Sequence, residues 1–243
     1  MGEAKRKQQS GEYGPALTAG VRRNVAAAVP TLTGAKFEAL MANLFAFAES
    51  TFASPAKDPP RRAIACKAGC AYCCVLYVQV TPLAAIRLAQ VLQAMDPQAR
   101  AATMARVESV YTRVRGKDAG ARNLLAIPCP LMVDGRCSVY ADRPFACRGA
   151  NSADVEACRA GFGSDHGPKL LAYIHQRQVF AAVGNGVAQG LRDAGVQDDL
   201  LELVAALSLA LAHDDPLAAW RSGALDFSSA RCLEVAKQRA SAR

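Results

Sequence analysis

Eight thiols between residues 66 and 158 are the part of this chain whose types and spacing could do chemistry. Four stand in one short stretch, Cys66-Lys67-Ala68-Gly69-Cys70-Ala71-Tyr72-Cys73-Cys74, and four follow as Cys129, Cys137, Cys147 and Cys158. Thiolate is a soft ligand that selects zinc, iron–sulfur clusters or Cu(I). A structural zinc site takes four of them, and so, commonly, does an iron–sulfur cluster. The set therefore suits two four-ligand sites, or one cluster with cysteines to spare. Cys73 and Cys74 are adjacent, so their side chains diverge: either they serve two metals or only one of them ligates. The plain alternative is inert buried thiols. It serves well for a single cysteine and poorly for eight so arranged. Cys232 stands apart near the C-terminus and reads as an ordinary free thiol.

The compartment bears on that choice. A chain of 243 residues can bury a core without disulfide staples. The first residues, MGEAKRKQQSGEYG, are polar and lack the apolar segment of a signal peptide. The expected location is the cytoplasm, where thiols stay reduced and clustered cysteines are metal ligands rather than disulfides. The apolar runs at 39–48 and 203–212 are too short to span a bilayer, so no membrane is expected. The formal net charge of +8 is scattered, with short runs only at Lys5-Arg6-Lys7, Arg22-Arg23 and Arg61-Arg62. No aromatic residues interleave with them to stack bases, so no nucleic-acid partner is expected.

The cysteines must be positioned by helices. Residues 1–14 read as a disordered lead and 15–29 as weakly helical. A clearer helix follows Thr33, with Phe37, Leu40, Met41, Leu44 and Phe52 at helical spacing. The Pro-rich stretch 54–65 is the best candidate boundary. Apolar, β-branched 75–80 suits a short strand. Thr81-Pro82 and Asp96-Pro97 each pair a capping side chain with proline at the first helical position. They open two helices that favour an antiparallel hairpin, and this would return Cys129 toward Cys74. Asp134-Gly135 signals a β-hairpin. A two-residue loop in a regular hairpin would put Cys129 and Cys137 on opposite faces; a three-residue loop would put them on one. The two-residue form would therefore count against a shared site. Asn151 or Ser152 can cap a short helix carrying Cys158. Phe180, Val183, Val187 and Leu191 line one later helix, and Leu200, Val204, Leu207 and Leu211 the next. A last turn at 216–222 and a polar tail over 228–243 complete the chain. The fold expected is mainly α-helical around an irregular cysteine-rich centre that allows a short β-hairpin. Its parts are an N-terminal lead with helices (1–60), a cysteine module (61–165) and C-terminal helices with a tail (166–243), together one compact domain.

Two resemblances follow from these residues. The spacing Cys66-x3-Cys70-x2-Cys73 resembles the three-cysteine loop of radical S-adenosylmethionine enzymes, but the chain lacks their alternation of strand and helix. The larger pattern is Cys66-x3-Cys70-x2-Cys73-Cys74, then Cys129-Pro-Leu through Gly135-Arg136-Cys137-Ser138-Val139-Tyr140, then Arg143-Pro144-x2-Cys147-Arg148. It resembles the YkgJ-type cysteine-cluster family, also called the CxxCxxCC or zinc- or iron-chelating domain, over about residues 62–160. The first gap is three residues, where the family's short name implies two. The resemblance implies eight metal-chelating cysteines (Cys66, Cys70, Cys73, Cys74, Cys129, Cys137, Cys147 and Cys158) in a bacterial cytoplasmic protein. Some relatives are labelled iron–sulfur oxidoreductases, and a related cluster occurs in a larger flagellin lysine methylase.

Other signals carry less. Gly184-Asn185-Gly186 with Gly190 has the wrong spacing for a dinucleotide loop and reads as a glycine-softened helix. Of His166, His175 and His213, only His166 is near enough to Cys158 in sequence to substitute as a ligand. Arg143 and Arg148 are expected either in salt bridges with Asp142 or Asp154, or as donors that neutralise a thiolate cluster or hold an anionic substrate. Tyr140 could cover the site. The leading reading is a cysteine-ligated iron–sulfur or iron centre with a redox or electron-transfer role. The rival is a non-enzymatic zinc module, structural or facing a protein partner. Cluster-dependent protein methyl transfer is the third reading.

Overall fold

The computed structural model describes residues 3–53, 63–67, 69–164 and 173–233. It is mainly α-helical, as expected, with strands of two residues each. Helix α1 runs Glu3–Ala28, where a disordered lead was expected, and holds Pro15 inside it. Helix α2 is Gly34–Ala53 and buries Phe37, Met41, Leu44 and Phe45. The Pro-rich boundary lies mostly outside the described residues, as does the tail from 234.

Helix α8, Ile174–Asp193, lies along α1. The glycines that soften α8 have a packing reason. A Cβ at Gly186 would sit 2.6 Å from Cβ of Val21, and one at Gly190 would sit 2.6 Å from Cβ of Val25. Backbone carbonyls of Thr18 and Arg22 are almost as close, at 2.8 and 2.7 Å. Only glycine lets the two helices approach this far, and that offsets its cost in a helix interior. The Arg22 guanidinium fastens the far end to Asp193 with bonds of 2.5 and 2.8 Å.

Both proline-led helices form as expected. Thr81 caps α3, Pro82–Gln93, and Asp96 caps α4, Pro97–Val114. They do not make a simple pair, however: each packs mainly on α9, Leu203–Leu211. The expected strand at 75–80 shrinks to β1, Gln79–Val80. It pairs antiparallel with Leu201–Glu202, so residues expected at the start of a helix are extended instead. The reason is the Glu202 side chain, which caps α9 by accepting from the Ala205 N–H at 2.8 Å. A final helix, Pro216–Ser222, matches the expected last turn and is capped by Asp215. Of the expected polar tail, the described residues 228–233 pack onto the fold: Cys232 is fully buried and its N–H donates to Leu200 O at 2.9 Å. One hydrophobic cluster takes in residues from Val21 to Ala230, and Cys129 and Cys137 pack against its edge.

Candidate metal centre

Each cysteine is set by a local backbone device. Residues 63–67 lie in irregular backbone beside Ser152: the Ala65 N–H donates to Ser152 O at 2.8 Å, and the Ser152 N–H donates to Cys66 Sγ at 3.2 Å. Gly69 takes a left-handed φ of 85°, and the Cys70 N–H closes the turn onto Lys67 O at 3.0 Å. A 3-10 turn, Tyr72–Val75, carries Cys73 and Cys74. The Cys129 N–H then donates to Cys74 O at 2.7 Å. The return of Cys129 to Cys74 across the two long helices is thus realised as a direct hydrogen bond.

The hairpin pairs β2, Met132–Val133, with β3, Arg136–Cys137. Asp134 and Gly135 have φ of 49° and 73°, so the loop has two residues. That is the form expected to oppose a shared site. Its premise fails, however, because the regular pairing does not reach Cys129. Cys129 sits before β2 in a turn closed by the Met132 N–H on Cys129 O at 3.0 Å, so strand alternation does not govern its direction. Cys147 lies on a short helix, Phe145–Gly149, and Cys158 on another, Val155–Ala160. The cap of the second is Asp154, not Asn151 or Ser152. Those two are buried: Asn151 binds the backbone of Gly149 and Tyr173, and Ser152 holds Cys66.

Electrostatic neighbours divide the thiols in a way the sequence order does not. Burial pushes the Cys66 thiol up, the Ser152 N–H opposes this, and Cys70, Cys73 and Cys158 act on it as neighbours. Burial also pushes Cys147 far up, helped by Cys129, Cys73 and Cys137 and opposed by Arg143. Cys73 is raised first by its hydrogen bond with the Cys74 side chain and then by burial. Cys129 is pushed up to about 11, chiefly by burial, with Arg122 opposing. Cys137 is raised by burial and lowered by Arg143. One neighbourhood thus joins Cys66 and Cys70 with the distant Cys158. The other joins Cys129, Cys137 and Cys147. Cys73 belongs to both.

These are neighbours and not a closed coordination shell. Among the described residues, no group of three or more His, Cys, Asp or Glu side chains is already gathered as a metal site. The donor chemistry nonetheless suits a soft cation. Partly buried thiols whose protons are held more tightly need a positive charge to become ligands, and a metal supplies it.

The arginines have separate roles. Arg143 stacks its guanidinium 3.8 Å from the Tyr140 ring centroid, and its buried Nε has no hydrogen-bond partner. It is the cation facing Cys73, Cys137 and Cys147. Tyr140 is exposed rather than a cover for the thiols. Arg148 turns away from solvent instead of bridging Asp142 or Asp154. It binds Glu49 at 2.6 Å, the carbonyls of Arg143 and Ala141, and the face of Phe45. It therefore ties the Cys147 helix to α2. Asp142 pairs with Arg87 at 2.7 Å. Sequence reasoning missed Arg122, which is 2 % exposed and bound to the backbone on either side of the thiols. Its type gives no signal beside Arg113, Arg115 and Lys117. His166 lies outside the described residues. His175 packs its ring against Phe52 and Tyr173.

Residues 65–162 match the CxxCxxCC family. The family's description reads "Putative zinc- or iron-chelating domain", and the matched stretch includes all eight clustered cysteines. Neither the curated proteins nor the solved structures gave a match. This is the family the cysteine pattern resembles, and the match supports metal binding by the module, of zinc or iron. Among the described residues no helix is long and apolar enough to cross a membrane.

Proposed function

We propose that the CxxCxxCC domain of this chain holds a cysteine-ligated iron–sulfur or iron centre and exchanges electrons through it. The ligands come from Cys66, Cys70, Cys73, Cys74, Cys129, Cys137, Cys147 and Cys158. The observation that carries this reading is that Cys129, Cys73 and Cys137, from separate segments, act electrostatically on Cys147, with Arg143 opposing on three of these four thiols. A bound cluster would supply a one-electron couple. The chain's own part is to hold the thiols, limit the exposure of Cys129 and Cys147, and offset negative charge with Arg143 and Arg122. Cys137 and Arg143 are only half-buried and Tyr140 is exposed, so this edge opens toward a redox partner.

The test is anaerobic purification with metal and sulfide analysis. Brown protein with iron and acid-labile sulfide is the expected result. Colourless protein with stoichiometric zinc overturns the redox reading. It would support a zinc module, structural or protein-binding and without catalysis. One observation favours that second reading: the thiols form two neighbourhoods, as two tetrahedral zinc sites would require.

A further inference from the structure

Arg122 lies on a six-residue helix, Ala119–Leu124, opened by an Asp118 cap. A surface position would be ordinary for an arginine on so short a helix, yet this one is 2 % exposed. Its two terminal nitrogens reach two chain segments. Nη1 donates to Val75 O at 3.0 Å, and Nη2 donates to Ile127 O at 2.9 Å. Val75 directly follows Cys74, and Ile127 is two residues before Cys129. With the Cys129 N–H on Cys74 O at 2.7 Å, the guanidinium closes a ring that locks the first cysteine loop to the second. Asn123 adds a strap, accepting from the Tyr77 N–H at 3.0 Å.

The charge is costly here. Guanidinium keeps its proton even when buried, yet both acceptors are neutral carbonyls and Nε has no partner. The nearest groups that can carry negative charge are Glu202 and the Cys129 thiol. Glu202 is itself buried, and its carboxylate is engaged by the N-terminus of α9. A methionine of similar length would fill the space without this cost, and buried charges persist where a counter-charge arrives. We infer that Arg122 is a positioning residue of the metal centre: it fixes Cys74 against Cys129 and supplies a permanent cation beside the thiolate that Cys129 becomes on metal binding. This rests on the reading of the module as a thiolate metal site, but not on which metal is native.

The experiment uses the full chain, stripped of metal under reductant, in three forms: unsubstituted, Arg122→Met and Arg122→Lys. Each is titrated with Co2+ against a competing chelator and followed by thiolate-to-cobalt absorbance. The urea midpoint of each form is measured with and without Co2+. Expected is a tenfold to hundredfold loss of Co2+ affinity in Arg122→Met, on the order seen for groups that orient metal ligands. Arg122→Lys, which keeps the charge and loses the fork, should fall between. The rise in urea midpoint on Co2+ loading should shrink in the same order. If Arg122→Met does not fold, Arg122→Lys decides by the same two readouts. Unchanged affinity with an unchanged Co2+ increment, even at a lower midpoint, would make Arg122 a mere brace and overturn the inference. Failure of the unsubstituted protein to bind Co2+ through thiolate would instead refute the thiolate centre itself.

Discussion

Metal-stripped protein should lose stability between pH 9 and pH 11, and Cys129 should account for a measurable share. Burial pushes its thiol from 9.0 to about 11, so the folded state holds that proton where the unfolded chain releases it. Below pH 9 both states are protonated and the contribution is fully present. As pH rises through 11 the folded chain binds more protons than the unfolded one, so stability falls. The interval between the two values corresponds to about 3 kcal/mol for this one thiol. Cys147, Cys73 and Cys137 are raised too and add in the same direction. The assay is urea unfolding of reduced, metal-free protein at several pH values from 8 to 11, alongside Cys129→Ser. Serine does not titrate there, and lysine and tyrosine ionisation cancels in the difference. Wild type should lose more stability than Cys129→Ser over this range. Parallel curves would show that the thiol is not desolvated as the fold indicates, and the argument for a charge-seeking centre would fail with it.

The same protons give a second outcome. Zn2+ or Fe2+ added near neutral pH must displace them, so binding should release protons and tighten as pH rises, read by calorimetry in buffers of differing ionisation enthalpy. Cys70→Ser and Cys147→Ser should each lower bound metal in purified protein; unchanged content in both would refute the ligand set. Gly190→Ala places a methyl 2.6 Å from Cβ of Val25 and 2.7 Å from a backbone carbonyl. It should cost about 1–3 kcal/mol by chemical denaturation, whereas Gly195→Ala, with open space but φ of 71°, tests backbone strain alone.

Much of the fold was legible because the signals are local. Thr81-Pro82 and Asp96-Pro97 each combine a capping oxygen with a proline that starts a helix, and both helices begin there. Where local signals compete with tertiary ones, the tertiary ones prevail. Leu201 and Glu202 continue a helical pattern, yet β1 draws them into a bridge because Glu202 caps the helix from outside. Cys232 looked like part of a polar tail, and the bridge between Leu201 and Arg231 buries it. The glycines of α8 looked like softening until Val21 and Val25 of α1 stood against them.

The sequence by itself determined the kind of chemistry. Thiol identity, number and clustering are covalent facts, and soft donors in such density select soft metals. What only the tertiary structure decided is which thiols are neighbours and which charges face them. Cys158 joins Cys66 because Ser152 hydrogen-bonds that loop, and Cys129 reaches Cys74 through a single backbone bond. Arg143 faces the thiols while Arg148 braces a helix, though the two are five residues apart in one motif. Arg122 carries no signal in the sequence, and the fold buries it. Coulomb and hydrogen-bond terms depend on distance and burial, and neither is written in the order of the chain.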